Sequence, residues 1–575
     1  MAETRGNQTD GRLSNDSVTG AEAAVLSLAQ HGVRHVFGLC GDTSLPFYDA
    51  LARLNHGITH VLSRDERSAG YMADAYARVT GRVGVCEGPS GGGATYILPG
   101  VVEANESSSA MVCITSDVPV TARGRYPLTE LDQTAMFRPL TKTATTIDHV
   151  DQIPDVFRKS FRAATTGRPG AAHIGLPYDL QKQTLDPERI WAQPRHASFP
   201  AYRAGPDPET VAEAAAILRA AKAPVFIVGG GAIISGAMEE LDELATLLRA
   251  PVASTVSGHG ALSDLHPLAV GVVGANGGTD ETREVVQAAD TVVFVGCRAG
   301  STTTEHGKVP GRGVPVIHID IDPMVVGANY RCDAGIVADA KLALSALIEA
   351  LRGADLASGG ELAATLDDMR ARKFAMFDRL ARSDDRPIRP ERLLAALQTH
   401  LPEDGIIVAD PGTPCPYFSG YYRFPRAGRH FITNRAHGAL GFSLSAGIGA
   451  WYGRPDATVV SVMGDGSFGF AVGEMETLTR LNVPLKMVVI SNACFGWIKA
   501  SQNAGYGSRY FSVDFSRTDH ARIAEAYGIR SWSVSDPAQV DTAVREALAH
   551  DGPALIDIVS QVLQDTNVPV SAWMG

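Results

Sequence analysis

Thr458–Asn492 reads TVVSVMGDGSFGFAVGEMETLTRLNVPLKMVVISN. Two apolar, β-branched runs, TVVSVMG and LKMVVIS, flank a helical pattern, which is the strand–helix–strand rhythm of a parallel sheet. The first run ends in Gly464-Asp465-Gly466-Ser467, and the second ends in Asn492, 27 residues after Asp465. In open α/β sheets ligands sit at the carboxyl ends of the strands. An acid and an amide at neighbouring strand ends suit a hard cation such as Mg²⁺, which takes oxygen ligands and commonly a phosphate partner. Gly466 and Ser467 are placed to offer backbone N–H groups to that phosphate at a helix start.

Working outward, the same rhythm fills the chain. GVRHVFGLCG, RVGVCEGPSGGG, SAMVCITSD and AAHIGLPYDL read as strands of a first unit, 19–190. PVFIVGGGA, TVVFVGCRAG and VPVIHIDIDP mark a second, 206–355. GIIVADPG, TVVSVMG, LKMVVISNA and ALIDIVSQ mark a third, 375–560. Residues 1–18 read as a loose tail, and 561–575 as a segment able to close over a site as a lid. The expectation is an α/β protein with three doubly wound parallel-sheet domains.

Composition bounds the function. The 575 residues are 45% hydrophobic and 20% charged, ordinary for a globular protein and incompatible with a disordered or collagen-like chain. The net charge of −12 argues against a nucleic-acid binder. No apolar run reaches the ~18–20 residues that cross a bilayer. The seven cysteines form no CxxC pair and read as reduced thiols, so the expected setting is cytoplasmic, with neither membrane nor nucleic acid as partner.

GDGSFGFAVGEMETLTRLNVPLKMVVISN resembles the signature of the thiamine-diphosphate enzymes. The resemblance implies that Asp465, Asn492 and the carbonyl of Cys494 hold Mg²⁺, and that Gly412, Thr413, Gly464, Gly466 and Ser467 line the thiamine diphosphate. It is repeated elsewhere. HVLSRDERSAGYMADAYARVTG places Glu66 between a strand and a helix, where the family's glutamate bonds the aminopyrimidine and relays a proton. In Arg435-Ala436-His437-Gly438-Ala439-Leu440-Gly441-Phe442, the Gly438 carbonyl would accept from that ring, and Leu440 would either wedge the cofactor into its bent shape or simply pack in the core. FGLCGD and GPSGGGAT match two Gly-rich loops, with GPSGGG in place of the usual GPG. The three domains become pyrimidine-binding, middle nucleotide-binding and diphosphate-binding. The resemblance also implies a homodimer or homotetramer in which Glu66 of one copy serves cofactor caged by Asp465 of another.

The branch is read from smaller features. LTELDQ, with Glu130 and Gln133 as catalytic candidates, resembles the oxalyl-CoA decarboxylase and 2-hydroxyacyl-CoA lyase branch. Arg168, Arg298, Asp320 and Asp322 are then expected around a structural ADP, with FAD as the alternative nucleotide. Arg423, Arg426 and Arg429, with the turn Ser257-Gly258-His259, are candidate contacts for an acyl-CoA substrate. The implied reaction is cleavage of a 2-hydroxyacyl-CoA, such as 2-hydroxyisobutyryl-CoA, to formyl-CoA and a ketone or aldehyde, or the reverse. The alternatives are an acetolactate synthase-like carboligase acting on pyruvate and an oxalyl-CoA decarboxylase. Position 493, directly after Asn492, is where the resemblance leads one to expect a catalytic glutamate; Ala493 can move no proton, which suggests an inactivated variant.

Overall fold

The computed structural model describes residues 17–358, 360–566 and 568–570. Three six-stranded sheets, each wholly parallel, carry the chain. Their central strands, such as Met111–Asp117, Thr291–Val295 and Lys486–Ser491, are buried along their whole length. Helices therefore cover both faces, as continuous apolar runs require.

In each sheet the chain reverses the direction in which it adds strands beside the first strand it lays down. In the first this reversal lies between His35–Gly38 and Gly84–Gly88, in the second between Pro224–Val228 and Thr291–Val295, and in the third between Ile406–Ala409 and Val459–Gly464. Loops leaving such a pair diverge and open a crevice. The glycine-rich segments of the sequence sit at all three.

The chain forms two compact units. One holds the residues up to Tyr202 together with Ala436–Asp456 and Ala471–Val483; the other holds Arg203–Arg435, Ala457–Phe470 and Pro484 onward. The stretch read as one third domain is thus divided. The reason is the helix Phe442–Gly453, FSLSAGIGAWYG, which has no polar face and is buried from Phe442 to Ala450. It packs on the helix Glu66–Thr80 so closely that a Cβ on Gly449 would stand 2.0 Å from the Met72 carbonyl oxygen. Tyr71 meets Phe442 edge-on at 5.2 Å, and Ser445 Oγ donates to Ser68 Oγ at 2.9 Å.

At the ends of the chain, Val18–Thr19 pairs antiparallel with Thr184–Leu185, so the structure begins inside the expected tail; residues 1–16 and 571–575 lie outside the described residues. In the segment read as a lid, Leu563 is buried in the core of the third sheet and the Pro569 carbonyl accepts from Gly277 N–H at 2.8 Å. Its described part is packed structure.

Candidate active site

The third sheet brings the deciding motif together. Asp465 starts a short helix at the end of Val459–Gly464, and Asn492 follows the neighbouring strand Lys486–Ser491. The Asp465 carboxylate is gripped by three backbone donors: Gly466 N–H on Oδ1 at 2.8 Å, and Asn492 and Ala493 N–H on Oδ2 at 2.8 and 2.6 Å. These bonds tie the two strand ends to one another. Burial raises the Asp465 carboxyl above its usual range, against the pull of the three N–H groups. Ala493 supplies its N–H from a left-handed conformation, φ 54°.

From the crevice's other wall, Asp410 directly follows the strand Ile406–Ala409 and accepts from Ser467 Oγ at 2.6 Å. Gly412 (φ 93°) and Thr413 follow, and a Cβ on Gly496 would come within 2.9 Å of Thr413 Oγ1 and 3.3 Å of Asn492 Nδ2. Gly412, Thr413, Gly464, Asp465, Ser467 and Asn492 thus gather at neighbouring strand ends, with Cys494, 3% exposed, donating from its Sγ to Asn492 Oδ1 at 3.4 Å. One expectation changes in detail: the Gly466 N–H, expected to face a phosphate, is spent on Asp465 because that carboxylate turns back over the helix start.

The first sheet's crevice carries Glu66. It opens the helix Glu66–Thr80, capped by Asp65, and is 7% exposed; burial raises its carboxyl above the ordinary range. The second Gly-rich loop lies against it, since a Cβ on Gly93 would stand 3.1 Å from Glu66 Oε1 and one on Gly88 3.4 Å from its Cγ. Ser90, where the family's loop has glycine, has a structural role. Its Oγ bonds Thr43 Oγ1 at 3.0 Å and Thr129 Oγ1 at 2.7 Å, so it knots FGLCGDT, GPSGGG and LTELDQ together. Gly438 (φ 77°) and half-buried Leu440 belong to this same unit.

Glu130 and Gln133 are engaged by the protein itself. Glu130 Oε1 accepts from Gly124 N–H at 2.6 Å. Gln133, 1% exposed, accepts from Thr115 Oγ1 and donates to the Ser116 carbonyl at 2.8 Å and to Asp117 Oδ1 at 3.2 Å. It therefore braces a strand end. Arg168 lies in the first unit, where it donates to the Asn105 carbonyl at 3.2 Å and stands 3.9 Å from Glu106. Arg298 follows the strand Thr291–Val295, and Asp320 ends its paired neighbour Val316–Asp320 with Asp322 just beyond; Asp320 accepts from Asp322 N–H, and Asp322 from Met324 N–H, each at 3.0 Å. The glycines beside them have a reason of their own. A Cβ on Gly229 would meet the Gly296 carbonyl at 2.1 Å, so the two loops need glycine to pass each other.

Sequence reasoning missed several buried acids. Glu87, in the strand Gly84–Gly88, accepts from Tyr48 OH at 2.7 Å, and burial pushes its carboxyl up to about 8. Glu474, 1% exposed, accepts from Arg64 N–H at 2.8 Å. Asp410 and Glu103 are fully buried. The signal was present: a charged residue inside or directly after an apolar run has a partner or a function.

Three family models match along the chain: "Thiamine pyrophosphate enzyme, N-terminal TPP binding domain" over residues 18–136, the central domain over 211–347, and the C-terminal TPP binding domain over 410–558. The chain belongs to the thiamine pyrophosphate enzymes. Among curated relatives of this thiamine pyrophosphate enzyme, a "Probable acetolactate synthase large subunit" of Methanococcus aeolicus is 34% identical, covering 94% of this chain and 92% of the relative. "Acetolactate synthase isozyme 3 large subunit" of Escherichia coli is 32% identical, covering 93% and 92%. "Acetolactate synthase" of Arthrospira platensis is 31% identical, covering 94% of each. These names favour the carboligase alternative over the CoA-lyase expectation, and they lend no support to ADP.

The residues fit the family's cofactor. The donors expected at the cage, a carboxylate, a side-chain amide and a carbonyl, would all offer oxygen, which suits Mg²⁺; among the described residues no cluster of three His, Cys, Asp or Glu side chains competes for a metal. Among the described residues Asn492 Nδ2 is buried with no partner, and a Cβ on Gly464 would meet nothing within 4 Å, so room and unspent polar capacity lie side by side. Bound thiamine diphosphate supplies a nucleophilic ring carbon and an electron sink. Asp465 and Asn492 would hold Mg²⁺ and the diphosphate, and the buried carboxyl of Glu66 would be the group able to hold a proton.

Proposed function

We propose that this chain makes or breaks a carbon–carbon bond beside a carbonyl, and that its reaction is acetolactate synthase-like carboligation of a 2-oxo acid such as pyruvate. The observation that carries the cofactor chemistry is the Asp465 carboxylate held by three N–H groups from two adjacent strand ends. The relatives' names support the substrate class. Incubation with thiamine diphosphate, Mg²⁺ and pyruvate should yield acetolactate and CO₂; no pyruvate consumption by the cofactor-saturated protein refutes the substrate class.

A second reading, cleavage of a 2-hydroxyacyl-CoA to formyl-CoA and a carbonyl compound, is favoured by one arrangement. Arg429 Nη1 donates to the Ser257 carbonyl at 2.9 Å, and Gly428 N–H to the Gly260 carbonyl at 2.7 Å. Two segments distant in sequence, each read as a CoA contact, therefore adjoin. Arg423 and Arg426 are exposed nearby in sequence, Arg423 over the Phe374 ring at 4.7 Å and Arg426 at 3.4 Å from Glu403. Guanidinium groups suit a nucleotide's phosphates. Release of acetone from 2-hydroxyisobutyryl-CoA, with pyruvate inert, would establish this reading over the first. A structural ADP near Arg298, Asp320 and Asp322 belongs with it, and extraction of the purified protein tests it directly.

We also propose that the working form is a homodimer or homotetramer, with Glu66 and Asp465 of one site contributed by different copies. Exposed Tyr126 and Leu128, 96% and 91%, and Phe511, 83%, support a partner surface. Mixing Glu66→Gln with Asp465→Asn protein tests it: activity should return on subunit exchange, and two inactive variants that stay inactive in mixed oligomers refute it.

A further inference from the structure

The loop that carries Gly438 and Leu440 is anchored by a group outside every motif discussed so far. His437 N–H donates to Glu103 Oε2 at 2.7 Å. Glu103, fully buried on the helix Leu98–Glu106, holds Ser107 Oγ on its other oxygen at 2.6 Å and Arg78 Nη2 at 2.9 Å. Arg78 pairs in turn with Asp74, at 3.0 Å through Nε and 2.7 Å through Nη2. Two carboxylates and one guanidinium are thus enclosed, with side-chain exposures of 9% for Arg78 and 0% for both acids.

Such a cluster is a poor source of stability, because taking charges out of water offsets most of their attraction. Enclosed and paired in this way, it fixes geometry instead. Each of its members sits on a helix. Asp74 and Arg78 sit one turn apart on the helix Glu66–Thr80, whose first residue is Glu66. The helix bearing Glu103 crosses that helix at Gly70 and Gly100, where a Cβ on Gly100 would stand 2.5 Å from Gly70 Cα. The carboxylate therefore presents one oxygen at a defined point, and the only described backbone donor on that oxygen from the 436–441 loop is His437 N–H.

We propose that Glu103 is a positioning residue for the cofactor's pyrimidine end. It fixes the peptide before Gly438 and so aims the Gly438 carbonyl and the Leu440 side chain. This rests on the reading that those two residues face the aminopyrimidine of thiamine diphosphate. Because the helix Glu66–Thr80, to which Arg78 ties Glu103, carries Glu66 at its start, one packed helix pair then orients both the proton-relay carboxyl and the ring-facing loop.

The test separates the two ends of the cofactor. Binding of thiamine diphosphate, and separately of inorganic pyrophosphate, is measured by calorimetry with Mg²⁺ on the parent and on Glu103→Gln. The expected result is at least a tenfold weaker thiamine diphosphate affinity with pyrophosphate affinity within twofold of the parent. A purely structural role would weaken both or neither, and either outcome overturns the proposal. If Glu103→Gln does not fold, Ser107→Ala, which frees the same carboxylate on its other oxygen, reads the same contrast: a selective loss of two- to fivefold supports the proposal, and parent-like binding of both ligands overturns it. A parent that binds pyrophosphate but not thiamine diphosphate sinks the cofactor reading itself, a result distinct from any variant effect.

Discussion

Glu87→Gln should change how stability depends on pH. Glu87 stands in an apolar strand, fully buried, with Tyr48 OH on Oε2 and, among the described residues, no hydrogen-bond partner on Oε1. Tyr48 OH also bonds His60, which burial holds down near 4 and so neutral. Loss of solvation is the main cause that pushes the Glu87 carboxyl from its ordinary 4.5 to about 8, with the nearby Glu66 charge adding to it. Between those values the unfolded chain has lost a proton that the folded chain keeps. Folding stability contributed by this group is therefore complete below pH 4.5 and declines as pH rises towards 8. The linkage slope is about 1.4 kcal/mol per pH unit, or about 4–5 kcal/mol over the interval for a fully buried group. Glutamine keeps the shape and the acceptor for Tyr48 but cannot ionise. Calorimetric melting of parent and variant at pH 5, 6, 7 and 8 isolates the effect, because the other raised carboxyls, among them Glu66, Asp74, Asp117, Asp320, Glu391, Asp465 and Glu474, are common to both. The two melting temperatures should nearly coincide at pH 5 and separate in favour of the variant towards pH 8. Parallel curves would refute the argument that Glu87 is held protonated.

Glu66→Gln should bind thiamine diphosphate and Mg²⁺ with near-parent affinity while turnover falls about 10²–10⁴-fold, the usual worth of a positioned proton carrier; retained turnover would show that another group carries the proton. Ala493→Glu should raise turnover at least tenfold if the position lacks its proton carrier, and equal rates would leave Ala493 as a space-making residue. Gly449→Ala should cost about 3 kcal/mol or more, since its new methyl meets backbone and not a movable side chain, and an unshifted thermal melt would contradict that packing.

Much of this was legible in the sequence. The three parallel sheets follow from apolar β-branched runs ending in glycine or small polar residues. The Asp465–Asn492 pair was legible because both residues sit at strand ends and short local spacing fixes them. Glu66 was legible from the strand–helix boundary around it. What escaped was non-local. Glu103 and Asp410 matter through bonds to residues 334 and 57 positions away, and no periodicity encodes such distances. Gln133 was read as chemistry, yet Thr115, Ser116 and Asp117 absorb its hydrogen-bonding groups. That Ala436–Asp456 packs with the amino-terminal unit escaped for a related reason. FSLSAGIGAWYG carries no amphipathic pattern, so its sequence names no side to face, and only the glycine at 449 hints that another backbone lies against it.

That helix has a practical consequence for anyone dissecting the protein. A fragment cut at residues 375–560 would expose an oily rod whose natural seat, on Met72, Tyr71 and Ser68, had been left behind with the discarded half. The amino-terminal piece would in turn show a bare trough where the rod had lain. The modules are read from the sequence as successive beads, but the thread passes back through the first bead before finishing the last, so neither can be unstrung intact.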